Sequence, residues 1–286
     1  MSTPHATHGA LRAGLCDTDG VVSNVYFDLT RAFNAAGPAV ALASGQAVVH
    51  YRVAIMSKDG DWVIRETAEA CAQVLGVLAS HGARYRPGAP LDARWLAGGW
   101  SSHFEFADAA GRRVRCDFFS RPPRISAEAI ARLFAPSAET FRVVDLASLI
   151  RMKQTQRAKD YAVIGELAAR LPPDQEVLLT TDPDRLLALA RTHGHDLTRP
   201  SLRAAAAGDR DAVVVALARE QDRQQRVDRA RLAAYANAAE AYLTAFSDWP
   251  VHERQLPEAH ERVVALAERW LPVAVENERG SGVDAE

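Results

Sequence analysis

Hydrophobic and polar positions change period several times along this chain. Over 25–37, VYFDLTRAFNAAG, the residues Phe27, Leu29, Ala32 and Phe33 recur at helical spacing, and Gly37 closes the run. PAVALA (38–43) reads as a short buried strand, GQAVVHYRV (45–53) as a short helix opening at a glycine, and DGDWVI (59–64) as a second strand. ETAEACAQVLGVLASHG (66–82) is an amphipathic helix with an early Glu and a stop at Gly82. SSHFEFAD and GRRVRCDFFS alternate with period two around DAAG (108–111), the pattern of a hairpin with Gly111 suited to a left-handed position. FRVVD (141–145) is a candidate further strand.

After Asp145 the period becomes helical throughout. LASLIRMKQTQRAKDYAVIGELAARL is interrupted by Pro172 and Pro173, and DPDRLLALARTHG follows a cap at Asp182. Residues 200–247 are Ala-, Arg-, Glu- and Gln-rich without strand character, and 258–271 form a last helix. The expected organisation is a loose N-terminus (1–20), an α/β half (21–145), an all-helical half (146–275) and a disordered tail (276–286).

One feature breaks the apolar pattern. Asp59 and Asp61 flank Gly60 at the start of a strand. Side chains two apart on a strand share a face. Two adjacent carboxylates repel unless a cation lies between them, and hard oxygen ligands suit Mg²⁺. Asp-x-Asp also occurs at Asp17/Asp19 and Asp182/Asp184, where a turn or cap accounts for it. The pair at 59 and 61 differs in its setting, because Asp117 lies on another predicted strand with Arg113 and Arg115 on its side. Three carboxylates from neighbouring strands are what a two-metal clamp for phosphoryl or nucleotidyl transfer requires.

Composition narrows the field further. The 286 residues are 48% hydrophobic and 24% charged, with a net charge of −2, so general polyanion binding is disfavoured while a local basic groove is allowed. Three cysteines, Cys16, Cys71 and Cys116, follow no metal or disulfide spacing, which fits a reducing cytoplasm. No apolar run suggests a membrane span, and the first residues lack the apolar core of a signal peptide. Arginine outnumbers lysine 31 to 3, and the three lysines, Lys58, Lys153 and Lys159, fall beside the paired acids or in one short segment.

These residues together resemble a known family. SGQAVVHYRVAIMSKDGDWVI, with a helix opened at Ser44–Gly45, Asp-x-Asp on a strand and Asp117 after a hairpin, resembles the signature of the DNA polymerase beta-like nucleotidyltransferase superfamily. LIRMKQTQRAKDYAVIGEL (149–167) resembles a motif of bacterial toxin or abortive-infection nucleotidyltransferases, filled here by Lys153, Arg157, Lys159 and Asp160. The chain departs from the pattern at Gln46, Gly60 and Val163. The resemblance implies a mixed sheet with flanking helices followed by a helical half. It implies nucleotide contacts at Ser44, Gly45, Gln46, Lys58, Arg157, Lys159 and Asp160. Mg²⁺ or Mn²⁺ would be held by Asp59, Asp61 and Asp117, with Asp117 as general base and Lys153 countering triphosphate charge. It implies an NTP donor, a hydroxyl acceptor on tRNA, a protein or a small molecule such as an aminoglycoside, and a protein partner such as an antitoxin.

Two other readings compete. In one, the fold persists as a nucleotide-binding or scaffold module that docks a partner through its helices. In the other, the chain is a helical interaction protein and Asp117 lies far from a mere turn at 59–61. His50 and Tyr51 are expected to pack locally, His193 and His195 to close a helix, and Trp95, Trp100 and Phe104 to be core, with stacking on a base as the alternative for these aromatics. The cluster Arg112, Arg113, Arg115, Arg121 and Arg124 is either a solvated hairpin rim or a phosphate track.

Overall fold

The computed structural model describes residues 24–193, 198–249 and 254–275. The expectations for 1–20, for Asp17/Asp19, Cys16 and His195, and for 276–286 lie outside the described residues.

Five strands form one mixed sheet: β1 (Val40–Ala43), β2 (Gly60–Ile64), β3 (Arg84–Tyr85), β4 (Ser102–Ala107) and β5 (Arg113–Phe119), in spatial order β1-β2-β5-β4-β3. β2 and β5 run parallel, and the other neighbours are antiparallel. The helices before the turn to an all-helical pattern are α1 (Val25–Phe33), α2 (Ser44–His50), α3 (Ala68–Ser80), α4 (Ala93–Ala97) and α5 (Ala127–Leu133). Beyond them come α6 (Leu146–Lys153), α7 (Ala158–Tyr161), α8 (Ile164–Ala168), α9 (Pro173–Leu179), α10 (Pro183–His193), α11 (Pro200–Ala206), the 38-residue α12 (Arg210–Ser247) and α13 (Leu256–Trp270).

Local chemistry explains the boundaries. Thr67 Oγ1 accepts from the Ala70 N–H at 3.2 Å to start α3, and Asp145 Oδ1 accepts from Ser148 N–H at 2.8 Å to start α6. Gly111 takes φ +75° in the hairpin turn, as its place between the alternating runs predicts. The stretch 141–145 does not become a sheet strand. Only Val143 bridges Leu42, and the segment lies along the free side of β1. The two-residue β3 and the short α4 and α5 carry too little periodicity to be read from sequence.

Alternation divides the sheet into two faces. Phe104, Phe106, Val114, Cys116, Phe118, Trp62 and Ile64 point into a core with α1, α3 and α13. The far end of α12 joins them through Ala239, Tyr242 and Phe246, so this core draws on both sides of residue 145. A second core joins Ala41, Ala43 and Val63 to α2, α6 and α8. Gly60 fits the first core closely. A Cβ there would come within 2.4 Å of both the Tyr26 and Trp62 rings, so the glycine admits aromatic packing against the strand.

Candidate active site

The polar face of the sheet is a lattice of charges. β5 presents Arg115 and Asp117, and β4 presents His103 and Glu105, which pair with Asp117 and Arg115 in register. β2 begins at Gly60, so Asp59 precedes the strand that the sequence pattern starts at 59. Asp61 pairs directly with Asp117 across the parallel ladder. Neighbouring strands run about 4.8 Å apart, so the reading that sets Asp117 far from the acidic pair is excluded.

Each carboxylate already faces a cation. Asp117 Oδ1 receives Arg86 Nη1 at 3.1 Å and lies 2.9 Å from His103 Nδ1. Arg115 Nη1 reaches Asp59 at 3.4 Å. Asp61 lies deepest: burial first, then the Asp117 charge, pushes its carboxyl up to about 6, against the opposing pull of Lys153 and the Ser44 hydroxyl, which donates to it. Lys153 is itself buried, and burial holds its ammonium below the usual lysine value despite the nearby Asp160 carboxylate.

The loops that hold these groups are tightly specified. Ser44 sits at φ +48°, a strained value for a serine, and from there its hydroxyl meets Asp61. At Gly45 a Cβ would come 2.2 Å from Ser57 Oγ, so the loop before β2 folds against the start of α2. Gln46 is buried: it donates to Ser57 O at 2.9 Å and accepts from Asn24 Nδ2 at 3.0 Å. Its amide braces the loop, and the residue lines the cleft that Lys58 and Asp59 share. Asp160 is also internal, accepting from Thr155 Oγ1 at 2.7 Å and Arg157 Nε at 2.8 Å with Lys153 Nζ at 3.7 Å. Burial raises its proton affinity, but these partners outweigh it and hold the carboxyl below the ordinary aspartate value. It therefore organises the two cations. Lys159 is exposed on α7.

Two hollows flank the lattice. Ser44 and Asp61 line a cavity of 260 Å³ with Arg121, Arg157, Met152, Asp228 and Arg231. Asp59 and Lys58 line a separate cleft of 760 Å³ with Arg112, Arg113 and Arg115. The paired acids thus open onto different hollows, with Asp59 just before the strand that carries Asp61. The arginine cluster resolves into ion pairs: Arg112 with Asp108, Arg113 with Glu105, Arg115 with Asp59, Arg121 with Glu66, and Arg124 with Asp228. That is a neutralised rim, not a bare cationic track. His50 packs against Phe27, Tyr51 and Phe141, Tyr51 donates to Val144 O, and Trp95 and Phe104 are core.

The donor chemistry and the Asp61–Asp117 register suit a carboxylate-bound Mg²⁺. The side chains as they stand do not. Among the described residues no three His, Cys, Asp or Glu side chains converge as ligands, and two of the three carboxylates, Asp59 and Asp117, are engaged by protein cations.

Sequence reasoning missed Arg86, His103, Asp228 and Arg231. His103 follows from the hairpin alternation once its register is known. Arg86 depends on the two-residue β3, and the α12 residues are brought in by tertiary packing alone.

No family model matches the chain, and no curated protein matches it. Among solved structures, the chain is similar to a candidate nucleotidyltransferase from H. pylori at 12% identity and TM-score 0.37, over 71% of this chain and 96% of that one. It is also similar to JHP933 from Helicobacter pylori at 13% identity and TM-score 0.38, over 73% and 94%. Among the described residues no helix is long and apolar enough to cross a membrane.

Proposed function

We propose that this chain is a nucleotidyltransferase that moves a nucleoside monophosphate from an NTP to a hydroxyl acceptor and releases pyrophosphate. The observation that carries this reading is the direct pairing of Asp61 with Asp117, beside a cavity lined by Ser44 and Arg157 and next to the buried Lys153. The acceptor oxygen attacks the α-phosphorus, the bond to the bridging oxygen breaks, and pyrophosphate leaves with that electron pair. Both contacts to Asp117 use Oδ1, so the hydroxyl proton would go to Oδ2. Lys153, held by Asp160, would counter charge on the phosphates, and Arg157 would orient them. Mg²⁺ or Mn²⁺ would supply further charge neutralisation from Asp59, Asp61 and Asp117 only once Asp59 and Asp117 leave their present protein cations. RNA such as tRNA, a protein and a small molecule are the acceptor classes to screen, and an antitoxin-like protein is the partner class.

The test is transfer of α-phosphate label from each NTP, with Mg²⁺ or Mn²⁺, to each acceptor class. Asp61→Asn should lower the rate at least about 100-fold, the scale for losing one charge-stabilising group. Failure of every NTP to release pyrophosphate or label an acceptor would leave the second reading, a non-catalytic scaffold. One observation favours that reading: Asp59 and Asp117 are paired with protein cations, and among the described residues the carboxylates do not gather as a metal site.

A further inference from the structure

The 260 Å³ cavity at Asp61 does not end at α12. A neighbouring cavity of 280 Å³ shares Gly99, Ser101, Arg231 and Leu232 with it and continues along α12 past Trp100, His103 and Tyr235. Together they form a groove of the size small-molecule sites take. Its two ends differ in chemistry. The Asp61 end carries Arg121 and Arg157, and the other end carries Trp100, Tyr235, Tyr242 and Leu243.

Arg231 stands at the junction. Arg121 is paired with Glu66, Arg157 with Asp160, and the cavity's other acid, Asp228, is buried and taken by Arg124 at 3.0 Å. Arg231 has no ion-pair partner among the described residues, and its only recorded ring contact is with Tyr235, 5.8 Å from the guanidinium to the centroid. Its Nε is buried with no hydrogen-bond acceptor. A buried, unused charged donor is costly unless something completes it. We infer that Arg231 is a phosphate ligand supplied by α12. On this assignment a nucleoside polyphosphate lies along the groove with its phosphates between Asp61 and Arg231 and its base at the Trp100–Tyr235 end. This inference rests on the nucleotidyltransferase reading for the ligand's identity, but binding alone tests it.

The experiment is equilibrium binding by calorimetry of the four NTPs, the corresponding nucleosides and inorganic tripolyphosphate to wild type, Arg231→Gln and Arg231→Lys. Circular dichroism and melting confirm that each variant folds. The preferred NTP and tripolyphosphate should each weaken about tenfold or more in Arg231→Gln and recover partly in Arg231→Lys, while nucleoside affinity stays within twofold. Unchanged NTP affinity in Arg231→Gln, equal loss for nucleoside, or no binding of any NTP or tripolyphosphate by wild type overturns the assignment. Wild type that binds with this pattern but transfers no label keeps the assignment and removes the transferase reading. Transfer with an indifferent Arg231 does the reverse.

Discussion

Asp61 and Trp62 are neighbours in sequence and opposites in structure. Trp62 points into the apolar face, fully buried, stacked on Phe118 at 5.3 Å and donating its indole N–H to Thr30 Oγ1 at 2.9 Å. Asp61 points to the polar face, pressed against Asp117 and countered by Lys153 and Ser44. The same strand therefore serves two ends. One face gains stability from burial, and the other holds charges whose mutual compensation leaves little net gain. The contrast predicts that single changes on the first face cost stability, while those on the second alter binding and pH dependence.

The largest effect should come from Trp62→Ala. It removes a ring in contact with Tyr26, Phe33 and Phe118, and it leaves Thr30 without its indole donor. Large-to-small changes of this kind cost about 3–5 kcal/mol. Urea denaturation should show that loss in the midpoint without a large change in slope. A cost under about 1 kcal/mol would mean that this face is not the stabilising one.

How much of this was legible depends on period and range. The helix at 66–82, the hairpin and the acidic pair show in the sequence because each repeats locally, and the pairing of Asp117 with Asp61 then needs only one register. Gly60 was not legible in its true role, because the Tyr26 and Trp62 rings that require it come from another element and from two residues on. The bracing of Gln46 by Asn24 and Ser57 was likewise not legible, because these partners meet it only in the fold. Arg231 lies on a long helix whose polar positions look alike in sequence, and only the packing of α12 brings it to the groove. That β2 and β5 run parallel was not legible, because the sense of a pairing between segments far apart in the chain leaves no local pattern.

The next effect should reverse the sign of the first. The folded-state pKa of Asp61 stands near 6 against the ordinary 3.8. Between those values the native state holds a proton that the unfolded chain has lost, so stability falls as pH rises through the window. Asp61→Asn removes that penalty. Allowing for screening and for the coupling to Lys153, the variant should be more stable than wild type by roughly 1–2 kcal/mol at pH 7.5 in the presence of a chelator. The gain should vanish near pH 4. Melting across pH 4–8 checks it, and a variant less stable at pH 7.5 would show that the Ser44 and Lys153 contacts outweigh burial.

The smallest effect on stability should come from Arg115→Gln. The pair it makes with Asp59 is 3.4 Å long, and its side chains are 35% and 40% exposed. Such a pair is worth less than about 1 kcal/mol, so the melting temperature should move by a degree or two at most. Binding should respond more. A guanidinium beside Asp59 competes with any divalent cation for the same carboxylate, and its removal leaves Asp59 free to turn toward Asp61. Mn²⁺ titration followed by electron paramagnetic resonance, without nucleotide, should show tighter binding in Arg115→Gln than in wild type. Equal affinity would mean that Arg115 does not guard the acids. A large loss of stability would mean that the polar face contributes packing as the apolar face does, and the contrast between Asp61 and Trp62 would not extend beyond those two residues.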